Sequence, residues 1–460
     1  MDLQATFITC CPHGDSAGHK LQLPNRFKAQ ALYTDCWPTS RFIRLRLDAR
    51  YECSPPTPLA SCTQTSRVKS PNESIAYESV DGSRLNPMKP LAICWLLLIV
   101  ASLMTTASVA IQGNEEAYAL LKWKASFEKQ SQALLSSWNG SDPCSHWVGI
   151  ACDDSRSVSL LNLTNFGIRG TFQTLNFSSL PNIRTIVLRN NSFYGPIPKQ
   201  IGVLSNLDTL DFHDNQLSGF IPKSIGSLSK LTFLDLAVNN FLGMVPPEMG
   251  KLDNLSHLDV GGNKLLGHIP EEIWRLRNLK YLSFAYNDNL RGIIPAEVGM
   301  LGNLTDLHFE HCNFTGSIPT TIGNLTNLSI LTLNNNNFDG PIPREIGKLV
   351  NLKVLRLLDN ELSGSIPREI GLVTNLYELD FSINNLSGSI PSTIGNLSNL
   401  IFLYLFINSL SGSIPDEVGK LHSLTTIELS NNNLSGPIAP SIGNLVKLET
   451  IDLRSQSHLP

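Results

Sequence analysis

The sequence has little charge and few of the motifs that mark enzymes or nucleic-acid-binding proteins. Charged residues make up 16% of its 460 residues, and 35 basic against 39 acidic side chains leave a formal net charge of −4. Such a chain lacks the positive field that sequence-independent nucleic-acid binding needs, and its hydrophobic fraction of 42% is too high for disorder throughout. P-loop, dinucleotide-binding and H-E-x-x-H motifs are absent. We therefore predict no catalytic residue, no cofactor, no metal and no nucleic-acid partner.

The first 87 residues differ in composition from the rest of the chain. They hold five of the nine cysteines, an odd number without a repeated spacing. They also show no sustained hydrophobic period of 2 or 3.6 residues. We predict that residues 1–87 are disordered, or that they come from upstream DNA wrongly included in the reading frame. A small unrecognised module is the alternative.

A short apolar segment follows this stretch. Met88 and a lysine precede the apolar run Leu91–Leu103, and small residues stand at Ser108 and Ala110. A basic start, a short apolar core and small residues at the end are typical of a secretory signal peptide. The dense apolar part has about 13 residues, whereas a membrane-spanning helix needs about 20. We predict a signal peptide over 88–110 with Met88 as the initiator; a membrane anchor is the alternative.

A repeat of 24 residues fills most of the remaining chain. The dipeptide Ile-Pro, or a variant of it, recurs eleven times from Ile197 to Ile438, with one step of 25 residues that contains an insertion within 287–290. A fixed period of this length is the signature of a solenoid, in which one copy cannot bury its own leucines. We therefore predict that residues 158–453 form stacked coils.

Each copy follows the pattern L-x-x-L-x-L-x-x-N-x-L-x-G-x-I-P, as in residues 352–367. The alternating L-x-L part predicts a short strand with one face inward, stacked in parallel on its neighbours at ~4.8 Å, and thirteen such strands can be counted. An asparagine holds one position in ten copies, where its amide can satisfy backbone groups that leave the strand. Cys312 stands there in the eleventh copy, and we predict a buried structural thiol.

The repeat unit resembles the plant-specific leucine-rich repeat, and the segment before it resembles that family's N-terminal cap. The residues that carry the second likeness are Leu120, Leu121, Trp123, Lys124, Leu134, Leu135, Trp138, Asp142, Pro143, Cys144, Trp147, Gly149 and Cys152. Together, residues 114–453 are similar to the ectodomains of plant receptor-like kinases and receptor-like proteins, in particular the male-discoverer-interacting receptor-like kinase group. The resemblance implies an α/β solenoid: a right-handed superhelix with a parallel concave sheet, short 3-10 turns on the convex side and a helical cap.

The residues of the cap agree with this likeness. Leu120 and Trp123 follow helical spacing, and an open solenoid end must cover its leucines. Cys144 and Cys152 lie eight residues apart in a secreted segment, which predicts a disulfide that stabilises the cap over 111–157. A metal site or a redox pair is the alternative, but the cap lacks a C-x-x-C motif or a second ligand set.

The chain departs from the family after Leu453. Residues 454–460 are predicted to be a truncated tail, in which Gln456 replaces the expected asparagine. The family's cysteine-bearing C-terminal cap, membrane helix and kinase signatures do not follow, so we predict that this chain is not an enzyme. Either it is part of a longer receptor or it is a short secreted form. A membrane would be contacted only through the signal segment or a missing C-terminal helix.

Twelve N-x-S/T acceptor sites lie after residue 110, and they matter only in a secreted chain. We expect about half of them to be used. Glycans on the outer side of the coil would leave the inner strand face free for a partner. The twelve acceptors are Asn139, Asn162, Asn176, Asn190, Asn254, Asn303, Asn313, Asn324, Asn327, Asn385, Asn396 and Asn433.

The side chains between the leucines are predicted to project from the concave face. Asp306, His308 and Glu310 alternate along one strand; a solvated polar strip is favoured there over a metal or acid–base site. Three aspartates in one column repel unless a cation or a basic partner relieves them, and three aromatics at 402–406 cost solvation unless covered. Neutral variation of a polar surface is the alternative reading. We predict that an extended peptide contacts Tyr281, Tyr286, Asp306, His308, Glu310, Arg356, Phe402, Tyr404 and Phe406.

The resemblance implies an extracellular recognition module at the cell surface or outside the cell. It would bind a peptide or a cell-wall-derived signal in development or defence, with a leucine-rich-repeat coreceptor kinase as a second partner. The alternative is a soluble secreted protein that acts as a decoy, or as an enzyme inhibitor of the polygalacturonase-inhibitor type.

Overall fold

The computed structural model describes residues 115–456. The predictions for residues 1–87, for the signal peptide at 88–110 and for the last four residues of the tail lie outside this range. Helix α1 covers 115–125, α2 is Lys129–Leu134 and α3 is Pro143–His146. None of the helices in the described range is long and apolar enough to cross a bilayer.

Two long sheets follow the helices, and their strands are numbered in chain order across both sheets. The first sheet lines the inner side of the coils, and β2 begins a run of thirteen parallel strands in it, which confirms the predicted number. The strands of the first sheet are β1 (Ile150–Cys152), β2 (Val158–Asn162), β4 (Thr185–Val187), β6 (Thr209–Asp211), β8 (Phe233–Asp235), β10 (His257–Asp259), β12 (Tyr281–Ser283), β14 (Asp306–His308), β16 (Ile330–Thr332), β18 (Val354–Arg356), β20 (Glu378–Asp380), β22 (Phe402–Tyr404), β24 (Thr426–Glu428) and β26 (Thr450–Asp452). Strand β1, which pairs antiparallel with β2, was not predicted.

The second sheet was not predicted either. Its strands form from the x-L-x-G part of each repeat, and they pair in parallel with the corresponding strand of the next coil. A glycine closes most of these strands with a positive φ, as at Gly364 with φ 75°, a conformation that L side chains rarely adopt. The strands are β3 (Arg169–Gly170), β5 (Ser192–Gly195), β7 (Gln216–Phe220), β9 (Asn240–Gly243), β11 (Lys264–Gly267), β13 (Asn289–Gly292), β15 (Asn313–Ser317), β17 (Asn337–Pro341), β19 (Glu361–Gly364), β21 (Asn385–Gly388), β23 (Ser409–Gly412) and β25 (Asn433–Leu434).

Short 3-10 turns form the outer side of the coil, as the resemblance implied. In nearly every copy the proline of Ile-Pro stands directly before the turn, because its fixed φ suits an extended residue at that point. An isoleucine inside the turn, such as Ile370, is fully buried. The turns are Phe177–Ser179, Lys199–Val203, Lys223–Ser227, Pro247–Lys251, Glu271–Arg275, Ala296–Met300, Thr320–Asn324, Arg344–Lys348, Arg368–Leu372, Ser392–Asn396, Asp416–Lys420 and Pro440–Asn444.

The asparagine column joins successive coils as predicted. The Asn384 amide donates to the carbonyls of Leu357, Phe381 and Ser382 at 3.0–3.2 Å, and its oxygen accepts the Leu362 N–H at 3.0 Å. One side chain therefore satisfies four backbone groups, in its own coil and in the preceding one. The pattern explains why an amide holds this position, since it both donates and accepts.

Cys312 occupies the asparagine position as a free, buried thiol, which confirms the predicted structural role. Burial raises the pKa of this thiol to about 12. Its Sγ lies 3.4 Å from the carbonyl oxygen of Phe284, but it does not accept the N–H that an asparagine would accept. In this copy the Leu290 N–H donates instead to the carbonyl of Asn287 at 2.8 Å. The inserted residue of the 25-residue step lies in that same turn. The hydrogen bond within this turn therefore replaces the one that Cys312 cannot accept.

The cap covers the first coil with aromatic side chains. Trp123 and Trp138 are fully buried, and the Trp138 and Trp147 rings stack with centroids 5.4 Å apart. Cys144 and Cys152 form a disulfide, as the sequence predicted. The buried Glu116 accepts hydrogen bonds from the hydroxyl of Ser157 and from the N–H of Val158. The Glu116 carboxylate therefore satisfies hydrogen-bond donors at the start of the repeat array, where no preceding coil supplies an asparagine amide.

At the other end the repeat pattern continues further than predicted. The Gln456 side chain donates to the Leu429 carbonyl at 2.6 Å and accepts the Leu434 N–H at 3.2 Å. Gln456 thus makes two of the backbone hydrogen bonds that an asparagine would make at this position. The last coil is less covered than the first, since Val446 is 86% and Ile451 43% exposed.

Candidate functional site: the concave sheet

Each strand of the first sheet offers three side-chain columns on its concave face. In a coil such as 354–358, the columns are formed by residues 354, 356 and 358, while the leucines between them are buried. Parallel strands pair in register, so His257 lies directly between Phe233 and Tyr281. Side chains of one column therefore face each other from coil to coil.

In the first column, aromatic rings stack across three coils. The ring centroids of Phe233 and His257 are 4.1 Å apart, and those of His257 and Tyr281 are 4.3 Å apart. The Tyr281 ring also contacts the imidazole of His308 in the second column of the next coil, at 5.2 Å. Burial lowers the pKa of His257 and raises the pKa of Tyr281. The stacked rings therefore make this part of the concave face partly apolar, and they hold its side chains in place.

In the second column, carboxylates stand on three adjacent coils. One oxygen of each accepts the backbone N–H two residues further on, as Asp235 does from Ala237 at 2.9 Å and Asp259 from Gly261 at 2.8 Å. Burial raises the pKa of Asp211 and of Asp259, opposed in both by that N–H bond. Backbone donors therefore relieve part of the repulsion that the sequence predicted, and Arg189 approaches Asp211 at 3.5 Å.

The predicted polar strip on β14 is held together by a residue that sequence reasoning missed. The Thr332 hydroxyl on β16 donates to a carboxylate oxygen of Glu310 and lies 3.0 Å from Nδ1 of His308. His308 and Glu310 themselves are 3.8 Å apart. Tyr286 stacks on His311 at 4.5 Å. The structure thus brings Tyr281, His308 and Glu310 into one connected group.

Arg356 lies two strands from β14 and already has a partner. Its guanidinium donates to both oxygens of Glu378 at 2.6 and 2.9 Å, and the Glu378 hydrogen bond raises the pKa of Arg356. Next to this pair, burial raises the pKa of Asp380 to about 6. The Ser382 N–H and hydroxyl both donate to Asp380, which opposes that shift.

The predicted aromatic anchor lies further along the sheet. The rings of Phe402 and Tyr404 stack with centroids 6.2 Å apart, and both side chains, like that of Phe406, are half-buried. Burial raises the pKa of Tyr404 to about 12, with Glu428 acting in the same direction. Strand β22 is five strand steps from β12, or ~24 Å.

The predicted residues therefore lie in two regions of one sheet, not in a single cluster: one on and beside β12 and β14, and one from β18 to β22. Each region adjoins or contains a patch of ordered side chains. We call Phe233, Asp235, His257, Asp259 and Tyr281 the upstream patch, and Arg356, Glu378, Asp380, Phe402 and Tyr404 the downstream patch. Sequence reasoning missed Thr332 and Glu378 as partners, and it missed the ring stack. The signal for the stack was present, because Phe233, His257 and Tyr281 recur at one repeat position.

All twelve predicted glycan acceptors are exposed. Asn324 and Asn396 end 3-10 turns on the outer side of the coil, as expected. Asn162 differs, since it ends strand β2 of the concave sheet. The strand face remains without acceptors across the upstream and downstream patches.

One catalytic pattern lies outside the described residues. The pentapeptide over 14–18 has the G-x-S-x-G spacing of a hydrolase nucleophile elbow. Such a motif acts only between a strand and a helix, and residues 14–18 lie outside the range that the structure describes.

Comparisons with known families agree with the observed repeats and cap. The "Leucine-rich repeat region" family matches residues 260–388 and 339–460, and the "Leucine rich repeat" family matches residues 181–241. The "Leucine rich repeat N-terminal domain" family matches residues 113–153, which include the cap disulfide.

Curated relatives match over short segments. MDIS1-interacting receptor like kinase 2 of Arabidopsis thaliana is 46% identical over 106 residues, covering 22% of this chain and 10% of that protein. Pollen receptor-like kinase 6 of the same plant is 37% identical over 103 residues, covering 22% of this chain and 16% of that protein. The aligned part thus spans only about a tenth to a sixth of these relatives.

Solved structures match over more of the chain. The structure of PEPR1 with AtPEP1 is 32% identical with a TM-score of 0.66, covering 74% of this chain and 51% of that one. The Arabidopsis receptor kinase HAESA with an extended IDA peptide hormone ligand is 29% identical with a TM-score of 0.54, covering 75% of this chain and 70% of that one. With its repeats and cap considered together, the chain belongs to the leucine-rich-repeat proteins, and over the matched parts it is similar to plant receptor-like kinases.

Proposed function

We propose that this chain is the extracellular recognition part of a plant receptor, and that it binds an extended peptide along the concave sheet. The observation that carries the proposal is the pair of ordered patches on that sheet, separated by strands with smaller or polar side chains. Support comes from the likeness to the structure of PEPR1 with AtPEP1 and to that of HAESA, which holds a peptide hormone ligand.

The distance between the patches sets a minimum ligand length. Strands β12 and β22 are ~24 Å apart, and an extended peptide advances ~3.4 Å per residue, so about seven residues are needed to reach from one patch to the other. Tyr281 and His308 would contact one end of the peptide, and Phe402 and Tyr404 the other. Half-buried rings on an already ordered surface suit this role, because little side-chain entropy is lost on binding.

The charge of the face favours a ligand with basic residues. Asp211, Asp235 and Asp259 stand in one column upstream, and Asp380 and Glu428 stand in the same column downstream. Their main cationic counterparts, Arg189 and Arg356, already pair with Asp211 and Glu378. A basic peptide would therefore relieve repulsion that the free protein retains, and it would associate faster at low salt.

The remaining parts of the proposal follow from the family and from the sequence. A signal peptide at 88–110 would send the protein into the secretory pathway, and it would act at the cell surface or outside the cell. A leucine-rich-repeat coreceptor kinase would be the second partner, joined after the peptide has bound.

Binding of peptides selected from a displayed library of random 15-residue sequences tests the site. We expect selected peptides to be rich in Lys and Arg. The affinity of these peptides for the protein should fall at least tenfold in His308→Ala and in Tyr404→Ala, because each substitution removes a contact at one end of the bound peptide. Ser392→Ala, on an outer turn, is the matched control and should bind as the unchanged protein does. Peptides that bind all three variants equally would overturn the proposed site.

A further inference from the structure

We propose that the upstream patch binds one divalent transition-metal ion, for which Zn²⁺ is the best fit, between Asp235, His257 and Asp259. Within residues 115–456, these three side chains are the one group of His, Cys, Asp or Glu residues whose candidate ligand atoms converge, with all of them within 4.8 Å of one another. The β14 residues that the sequence offered as a metal alternative do not converge in this way. The site goes beyond ligand recognition and does not depend on it.

The convergence is fixed by the repeat. His257 and Asp259 are the two residues of β10 whose side chains lie on the concave face, and Asp235 is the register partner of Asp259 on β8. Phe233 and Tyr281 hold the imidazole between their rings, with centroids 4.1 and 4.3 Å away. The N–H groups of Ala237 and Gly261 fix one oxygen of each carboxylate. The ligand set is therefore ordered before any ion binds, as tight metal sites require.

Two polar groups of this set have no partner in the described part of the chain. The Asp235 side chain is only 7% exposed, yet its bonds to Ala237 and to His213 both use Oδ1 and leave Oδ2 without one. Neither ring nitrogen of His257 makes a hydrogen bond within residues 115–456, although its stacked position buries much of the ring. These atoms reach the surface of the concave face, since none of them is among the enclosed side-chain atoms without a partner in the described residues, so they are free to bind an ion.

The surroundings leave room for an ion to enter. The third column beside the carboxylates holds Ala237, Gly261 and Ala285, whereas His213 and Glu310 stand in that column on either side. A Cβ at Gly261 would lie 3.1 Å from Oδ1 of Asp259, so even a methyl group would crowd the carboxylate. The small residues of the third column thus leave the two carboxylates without a larger side chain over them on the concave side.

The chemistry of the donors selects the ion. One imidazole and two carboxylates are a three-ligand set with an open fourth position, which suits Zn²⁺. Ca²⁺ and Mg²⁺ prefer oxygen ligands only, and they need six or more. An acidic surface without a defined metal site would instead attract Zn²⁺, Ca²⁺ and Mg²⁺ alike.

Isothermal titration of the purified, untagged protein with ZnCl₂ tests the proposal, after alkylation of its thiols so that cysteines do not bind. We expect one Zn²⁺ per chain and no saturable Ca²⁺ binding. His257→Phe, which keeps the ring stack, and Asp235→Asn, which keeps the Oδ1 acceptor, should each weaken Zn²⁺ binding at least tenfold. Asp380→Asn, in the same column of another coil, should leave it unchanged.

A spectroscopic measurement on the unsubstituted protein guards against variants that fail to fold. Co²⁺ in a four-coordinate site absorbs in the visible range, and we expect this absorption to saturate at one ion per chain and to disappear on addition of Zn²⁺. The proposal is overturned by absent saturation, by Ca²⁺ binding as well as Zn²⁺, or by folded His257→Phe protein that keeps full affinity.

Discussion

In the upstream patch, Asp235 and Asp259 face each other from adjacent strands, and their one ion-pair partner in the described chain is His213, whose Nδ1 lies 3.4 Å from Asp235. In the downstream patch, Arg356 binds Glu378 with two hydrogen bonds beside Asp380. The coils beneath are built alike, with a buried leucine in each strand and an asparagine after it. The comparison shows that the repeat fixes where charges stand, while the variable columns decide whether those charges are neutralised.

The aromatic side chains of the two patches differ in a related way. Upstream, Phe233, His257 and Tyr281 occupy one column, so their rings stack from coil to coil. Downstream, Phe402 and Tyr404 occupy two columns of one strand, and their rings lie along it at 6.2 Å. A stack across coils gains rigidity from three strands, whereas a pair on one strand depends on one. The upstream patch is therefore the better ordered of the two.

The largest expected effect comes from the shared framework beneath the patches. Asn263 and Asn384 each make the same four bonds to backbone groups, one below each patch. Asn263→Ala and Asn384→Ala should each lower the free energy of unfolding by ~3 kcal/mol, because buried backbone groups lose their partners. Urea unfolding followed by circular dichroism measures both. Losses that differ by more than about 1 kcal/mol would show that the coils are not equivalent.

A smaller effect is expected from the buried carboxylate downstream. The pKa of Asp380 is about 6 in the folded protein, against 3.8 for a free side chain. Asp380 binds its proton more tightly in the folded than in the unfolded protein. The stabilisation that comes from protonated Asp380 is therefore complete below pH ~4 and is lost as the pH rises through ~6. Asp380→Asn should therefore raise the free energy of unfolding by ~2–3 kcal/mol at pH 7, and by little at pH ~4.

Thermal unfolding across this pH range measures the difference between Asp380→Asn and the unchanged protein. Asp416→Asn, on an exposed outer turn, is the matched control and should show no such pH-dependent gain. A destabilised Asp380→Asn at pH 7 would contradict the expectation, and it would show that the charge of Asp380 is needed beside Arg356.

The framework could be predicted from the sequence because each of its parts is repeated. Buried leucines, the asparagine column and the proline before each turn recur at fixed positions, and thirteen parallel strands follow from counting them. The exceptions were predictable for the same reason, since Cys312 stands where an amide is expected. The second sheet was missed because most of its strands contain a glycine, and glycine gives a segment a weak strand signal.

The site was less predictable than the framework. The two columns considered in the sequence begin at Val187 and Arg189, two residues apart, but a three-residue strand also presents the residue before its central leucine. The ring stack lies in that first column. The bridge from Thr332 to His308 and Glu310 depends on side-chain rotamers. A repeat period places a residue in a column, but it does not determine which neighbour that residue contacts.

The smallest effect is expected where the two patches differ most visibly, at the Arg356–Glu378 pair. The Arg356 side chain is 45% exposed, and exposed ion pairs contribute only ~0.5 kcal/mol, less at high salt. Arg356→Gln should therefore lower the free energy of unfolding by about that amount in low salt, with a smaller loss in high salt. Urea unfolding at the two salt concentrations measures this. A loss as large as that of the asparagine variants would mean that the pair belongs to the framework, and Arg356 would then be unable to exchange Glu378 for an anionic group of a ligand.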